Sequence, residues 1–306
     1  MRIAASILLL IVSLAAAAAD SPAFTVGALR RDGIVIPFAA YDGKRWVSRW
    51  PPPSRDESVP ISLNSVPGRW WGPAGARESW QAWIVGEPRD VPPLKVVQPD
   101  VVDVHCTRQI GLRTDYRPDQ VPPPPLEQPY PKDGLAVSPP QNVERVQILW
   151  PLSAELAPMR TILTETFNRA ERDTASRFRH PVREKVREEH EPEIEAAYAF
   201  GSEPRIYYVE SVRAYRSMGG NDCTIAFGTG WFVRDGATFR ALEMTVDVLP
   251  CDKYGATYML PFGVMRLNGK VYWLAQYSGW DHERFVVVEI KPKQVEAVIN
   301  AWGGGC

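Results

Sequence analysis

Apolar and polar positions alternate with a period of two through much of this chain. The alternating runs come in pairs joined by turn residues, which predicts antiparallel β-hairpins. The clearest pair spans 263–277, two β-type runs joined by Asn268-Gly269. A type I′ turn needs positive φ at both central residues, and Asn and Gly accept it most readily. The same pattern recurs at 27–41 around Asp32-Gly33. The copies share Gly27 and Gly263, Arg30 and Arg266, Gly33 and Gly269, Val35 and Val271, Ala39 and Ala275, and Tyr41 and Tyr277. A third, looser copy starts at Gly230 and turns at Asp235-Gly236.

In chain order, 23–50 reads as strand, turn, strand, turn, strand, with Asp42-Gly43 as the second turn. Pro37 inside the β run Ile34-Val35-Ile36 marks an edge or a bulge. Pro51, Pro52, Pro53, Pro60 and Pro67 cannot donate to a ladder, so 51–68 is expected to cross the surface. A strand of undetermined face follows at 79–85, then two short strands at 101–106 and 109–113. Nine prolines between 117 and 140 predict a polyproline II linker or surface crossing.

Beyond 150 the period changes. Leu156, Met159, Leu163, Phe167 and Ala170 fall at helical spacing, with Ser153 placed to cap the start. The charge-crowded run 181–198 predicts a second helical stretch, split at Pro192. From 205 onward the chain returns to β as an antiparallel meander. Pro292 then opens a terminal helix in which Val295, Val298, Ile299 and Trp302 share a face. The expected divisions are 20–116, Trp-rich β; 117–140, linker or crossing; 141–204, helical insertion; and 205–306, β meander with a terminal helix, with 20–306 possible as one domain. The fold class is mainly antiparallel β with a helical insertion, α+β. The alternative is a propeller-like or closed β architecture with the terminal strands in one sheet, suggested by the hairpins repeated at both ends.

Compartment and charge narrow the function. Met1-Arg2, an apolar run over 3–19 and Ala17-Ala18-Ala19 before Asp20 read as a signal peptide at 1–19. That predicts a secreted or periplasmic protein with no membrane span after cleavage. Lys+Arg of 35 against Asp+Glu of 36 leaves no basic excess, which argues against a nucleic-acid partner. Four cysteines in an exported chain suit two bridges. A turn at Asp235-Gly236 would set Cys223 opposite Val248, and a bulge could bring it to Cys251. Cys106 with Cys306 follows by elimination.

Candidate chemistry is sparse. None of His105, His180, His190 and His282 has zinc-hydrolase spacing. His105 beside Cys106 and the run Glu188-Glu189-His190-Glu191 are explained by a disulfide and a solvated helix, so no metal or cofactor is expected. Gly228-Thr-Gly230-Trp-Phe-Val-Arg-Asp-Gly236 resembles the strand that opens trypsin-like secreted serine proteases. The histidine, aspartate and Gly-Asp-Ser-Gly segment that carry that chemistry are absent, so the resemblance implies no activity. Asp281-His282-Glu283 follows Trp280 in what should be an exposed loop, where a histidine between carboxylates could serve as a general base.

Six of the 11 tryptophans lie in the first third. Most are expected in the core, while Trp71 and Trp280, each followed by turn-forming residues, are expected as exposed binding platforms. The leading expectation is an exported non-enzymatic binding or structural protein of the cell envelope or extracellular space, holding a carbohydrate, peptide or envelope protein. The alternative is an exported hydrolase assembled around His282 with Asp281 and either Glu210 or Asp247.

Overall fold

The computed structural model describes residues 23–48, 50–54, 77–86, 92–117, 131–215 and 223–306. They are mainly antiparallel β, built as four stacked layers: a barrel, a four-stranded sheet, a five-stranded sheet and a helix.

The first layer uses β1 (Phe24–Arg30), β2 (Ile34–Tyr41), β3 (Trp46–Val47), β4 (Ser79–Ile84), β5 (Leu94–Val104), β6 (Thr107–Thr114) and β7 (Lys132–Ser138). Their order is β1-β7-β4-β5-β6-β2-β3, and β1 also pairs with β2, which closes six strands into a barrel. Val35, Trp80, Leu112 and Ala136 fill its interior. Their neighbours Ile34, Ile36, Leu135 and Val137 point outward onto the next layer. Strands buried on both faces read as continuous apolar runs, which is why 34–41 is apolar almost throughout.

The five-stranded sheet follows the order β12-β11-β10-β9-β8. It contains β8 (Gln147–Leu149), β9 (Glu193–Phe200), β10 (Arg205–Tyr215), β11 (Thr224–Asp235) and β12 (Thr238–Pro250). Between β8 and β9 lie α1 (Arg160–Arg177) and the single turn α2 (Glu184–Arg187). α1 lies across the outer face of this sheet, and its Phe167 sits where Cβ atoms on Gly228 would intrude, at 2.6 Å. The Gly-x-Gly pattern thus makes room for a helix. The four-stranded sheet runs β13 (Tyr258–Leu267), β14 (Lys270–Ser278), β15 (His282–Ile290), β16 (Val295–Gly305) in sequence order. Phe285 and Val287 face the barrel, whereas Val286 and Val288 face the five-stranded sheet.

Several expectations are corrected. The terminal helix is strand β16: a bulge at Val298, opposite Val287/Val288, interrupts the period of two, and Ile299 faces the barrel while Val295 lines the cleft, so the four residues share no face. The second helical stretch shrinks to α2, and Glu193-Ile194-Glu195-Ala196 begins β9, whose alternation the neighbouring charge run masked. The 205–306 region is split between two sheets, and β1 and β16 belong to different ones. Residues 118–130 of the Pro-rich stretch lie outside the described residues, but Lys132–Ser138 is a fully buried barrel strand. Ser153 makes no side-chain cap; its carbonyl accepts from the Leu156 N–H at 3.1 Å.

The hairpin turns behave as their residues require. Gly33 and Gly269 adopt φ of +84° and +77°, and Asn268 also has positive φ. Phe38, beside Pro37, is the extra residue of a bulge against β1. The third turn is Gly236-Ala237, one residue later than expected, because Asp235 pairs with Thr238. A bulge at Trp231/Phe232 shifts the register by one more, leaving Cys223 facing Cys251. The two are bridged, with Cα atoms 5.3 Å apart, and Cys106 is bridged to Cys306 at 4.8 Å. Among the described residues no helix is long and apolar enough to cross a membrane.

Candidate functional site

The five-stranded and four-stranded sheets meet in an apolar seam of Tyr208, Trp231, Trp273 and Val288. Beside that seam they part into a cleft of about 660 Å³. Strand register defines its floor. Side chains on one face of β10, β11 and β12 form three cross-strand rows: Tyr208, Trp231, Glu243; Glu210, Thr229, Thr245; and Val212, Phe227, Asp247. The Thr229 and Thr245 hydroxyls are 2.9 Å apart.

The facing wall comes from β14, β15 and β16. Tyr277, Arg284 and Trp302 make one row, and Ala275, Val286 and Asn300 the next. The Arg284 guanidinium lies 5.3 Å over the Trp302 ring. On the other side of Arg284 in sequence, the His282 ring stacks on the same indole at 5.9 Å and 7°. That stacking fixes His282 at the cleft margin.

Three carboxyls carry the electrostatics of the floor. Glu243 and Asp247 are exposed along one side, yet desolvation between the sheets raises both pKa values and no cation counters it. Glu210 is 2% exposed. Burial pushes its carboxyl up to about 7, partly offset by the Met259 N–H that donates to it. That bond is 2.6 Å long. The Tyr208 hydroxyl is buried beside Thr229 and Tyr277 but makes no well-aligned hydrogen bond.

The motif 281–283 is divided by strand geometry. His282 already belongs to β15, so it and Glu283 point to opposite faces, contrary to the expected exposed loop. His282 Nδ1 is 2.8 Å from Asp281 Oδ1, a hydrogen bond that holds the Asp281 carboxyl below its ordinary pKa. Glu283 is fully buried toward the barrel, where Lys132 Nζ donates at 2.5 Å and Gln276 Nε2 at 3.0 Å. Burial lowers the Lys132 pKa, opposed by that same carboxylate. Glu283 therefore supports the fold and does not join His282 in one site.

Trp280 is 57% exposed and packs on Tyr254 with ring centroids 4.6 Å apart, near the turn that precedes His282. Trp71 lies outside the described residues. All four cysteines are bridged.

Glu243, Thr245, Arg284 and Asn300 went unrecognised in the sequence. The available signal was the polar phase Glu243-x-Thr245-x-Asp247 in a strand, legible only with the matching positions 227, 229 and 231 across the hairpin.

Four residues along a strand separate Glu243 from Asp247 by about 13 Å between Cα atoms. Acid and base pairs that cleave glycosidic bonds lie roughly 5 to 9.5 Å apart. The hydrogen-bond partner of His282 is Asp281, with no hydroxyl or thiol placed on its ring for activation. Among the described residues, no group of three or more His, Cys, Asp or Glu side chains is arranged to hold a metal ion. Comparison with protein-family models, curated proteins and solved structures gives no match, so this cleft is interpreted from its own geometry.

Proposed function

We propose that this chain is an exported, non-enzymatic binding protein whose ligand, a carbohydrate or peptide segment of its surroundings, occupies the cleft between the two sheets. The observation that carries the reading is a 660 Å³ opening lined by aromatic faces together with the polar side chains Glu243, Thr245, Asp247, Arg284 and Asn300. Binding sites combine such apolar surface with a few convergent polar groups. Two disulfides support export, since such bonds persist in oxidising compartments.

Tryptophan fluorescence tests this directly, because Trp231 forms part of the floor. Titration with soluble polysaccharides and peptide fractions of envelope extracts should change the emission of the wild type. Thr245→Trp, which fills the cleft from an exposed position, should abolish binding. Equal binding by both proteins, or no binding fraction, would overturn the proposal.

A second reading, an exported hydrolase, draws on the His282–Asp281 hydrogen bond at the cleft margin. It requires turnover of ester, amide or glycoside substrates that disappears in His282→Asn.

A further inference from the structure

Charges on the two sides of the cleft are opposite, yet they do not meet. Glu243 and Asp247 line the floor, open to solvent and with no ion-pair partner among the described residues. Arg284 stands in the facing wall with its guanidinium over Trp302 and no carboxylate partner among the described residues. The rings of Trp231 and Tyr277 line the same space.

We infer that the cleft takes a short peptide bound as a zwitterion, its ammonium group directed to Glu243 in the Trp231 row and its carboxylate to Arg284. This rests on the cleft being the binding site and specifies what fills it. A neutral sugar would satisfy the Thr229, Thr245 and Asn300 groups but would leave the opposed charges of Glu243 and Arg284 unused. A free amino acid carries its two charges on one carbon and cannot reach both walls. Stacked sheets lie about 10 Å apart. An extended chain spans about 3.4 Å per residue, so a peptide of two or three residues bridges the gap. Ammonium groups also sit favourably on aromatic faces such as Trp231.

Isothermal titration with trialanine, its N-acetyl derivative, its C-terminal amide and maltotriose tests the assignment. Trialanine should bind. Acetylation, or Glu243→Gln, should weaken it roughly tenfold or more, as loss of a charge-assisted hydrogen bond does. Amidation should weaken it comparably in the wild type but have no effect in Arg284→Gln, because the group it removes then has no partner. Circular dichroism should confirm that these variants are folded.

Equal affinity for trialanine and both blocked forms, or no binding of any peptide, would overturn the inference. If maltotriose binds while the peptides do not, and Thr245→Trp abolishes it, the peptide assignment fails and the cleft survives as the binding site. If none of these probes binds and the broader fluorescence screen is also negative, both readings fail.

Discussion

Carboxylates at the two interfaces of the four-stranded sheet are treated differently. Between the barrel and the four-stranded sheet, Glu283 is fully enclosed and receives Lys132 and Gln276. The Cys106–Cys306 bridge and the Cys306 N–H bond to the Asp281 carbonyl secure the same end of the interface. Between the two open sheets, Glu210 accepts from one backbone N–H, and Glu243 and Asp247, exposed along β12, have no ion-pair partner among the described residues. A buried charge is tolerated where a partner and further hydrogen bonds are supplied from within. The first interface is therefore structural, and the second is where the proposed ligand would sit.

Breaking the structural side should give the largest effects. The Cys106–Cys306 bridge spans a sequence separation of 200, and cross-linking over that length contributes about 5 kcal/mol. Replacing both cysteines by serine should lower the free energy of unfolding in urea by most of that amount. An unchanged denaturation midpoint would show that the interface is held without it. Next comes Lys132→Met, which strands Glu283 and should cost about 3 to 5 kcal/mol. Adding Glu283→Gln should restore part of the loss, and failure to do so would mean the pair is not the cause.

The cleft side should respond in the opposite direction. The Glu210 carboxyl has a folded-state pKa of about 7 against an ordinary value of 4.5, so the folded chain holds more protons than the unfolded one between those values. Stability contributed by this group is complete below 4.5 and falls as pH rises toward 7. Glu210→Gln should remove that dependence and be more stable than wild type at pH 8, by about 3 kcal/mol at most. Equal stability of the two proteins at pH 8 would contradict the burial argument. Smallest of all, Glu243→Gln should shift thermal stability by no more than about 0.5 kcal/mol, since its partner is not part of the chain. A large loss would place Glu243 with Glu283 as a structural charge.

Local features were legible where one residue type enforces one geometry. Gly33 and Gly269 mark left-handed turns, Pro37 marks a bulge, and hairpin register brings Cys223 to within three positions of Cys251. Legibility failed where bulges changed the period. Val295, Val298, Ile299 and Trp302 mimic a helix because a bulge at Val298 breaks the period of two between them. It failed again at Glu193, where period-two alternation runs directly out of a charged helical turn. The candidate site was less accessible still. Asp281, His282 and Glu283 attract notice as neighbours in sequence, but a strand sends neighbours to opposite sides. Glu210, Thr229, Thr245 and Arg284 are brought together only by pairing and sheet stacking, which no single segment encodes.

Strand β15 serves both interfaces at once, with Phe285 and Val287 toward the barrel and Arg284 and Val286 toward the cleft. Backed by a closed barrel, that side is a fixed jaw. The β11–β12 ribbon opposite has a free outer edge at β12 and leans on a helix. Under the proposed reading, adjustment to the size of a guest falls to the ribbon, against whose Gly228 the Phe167 ring of α1 packs.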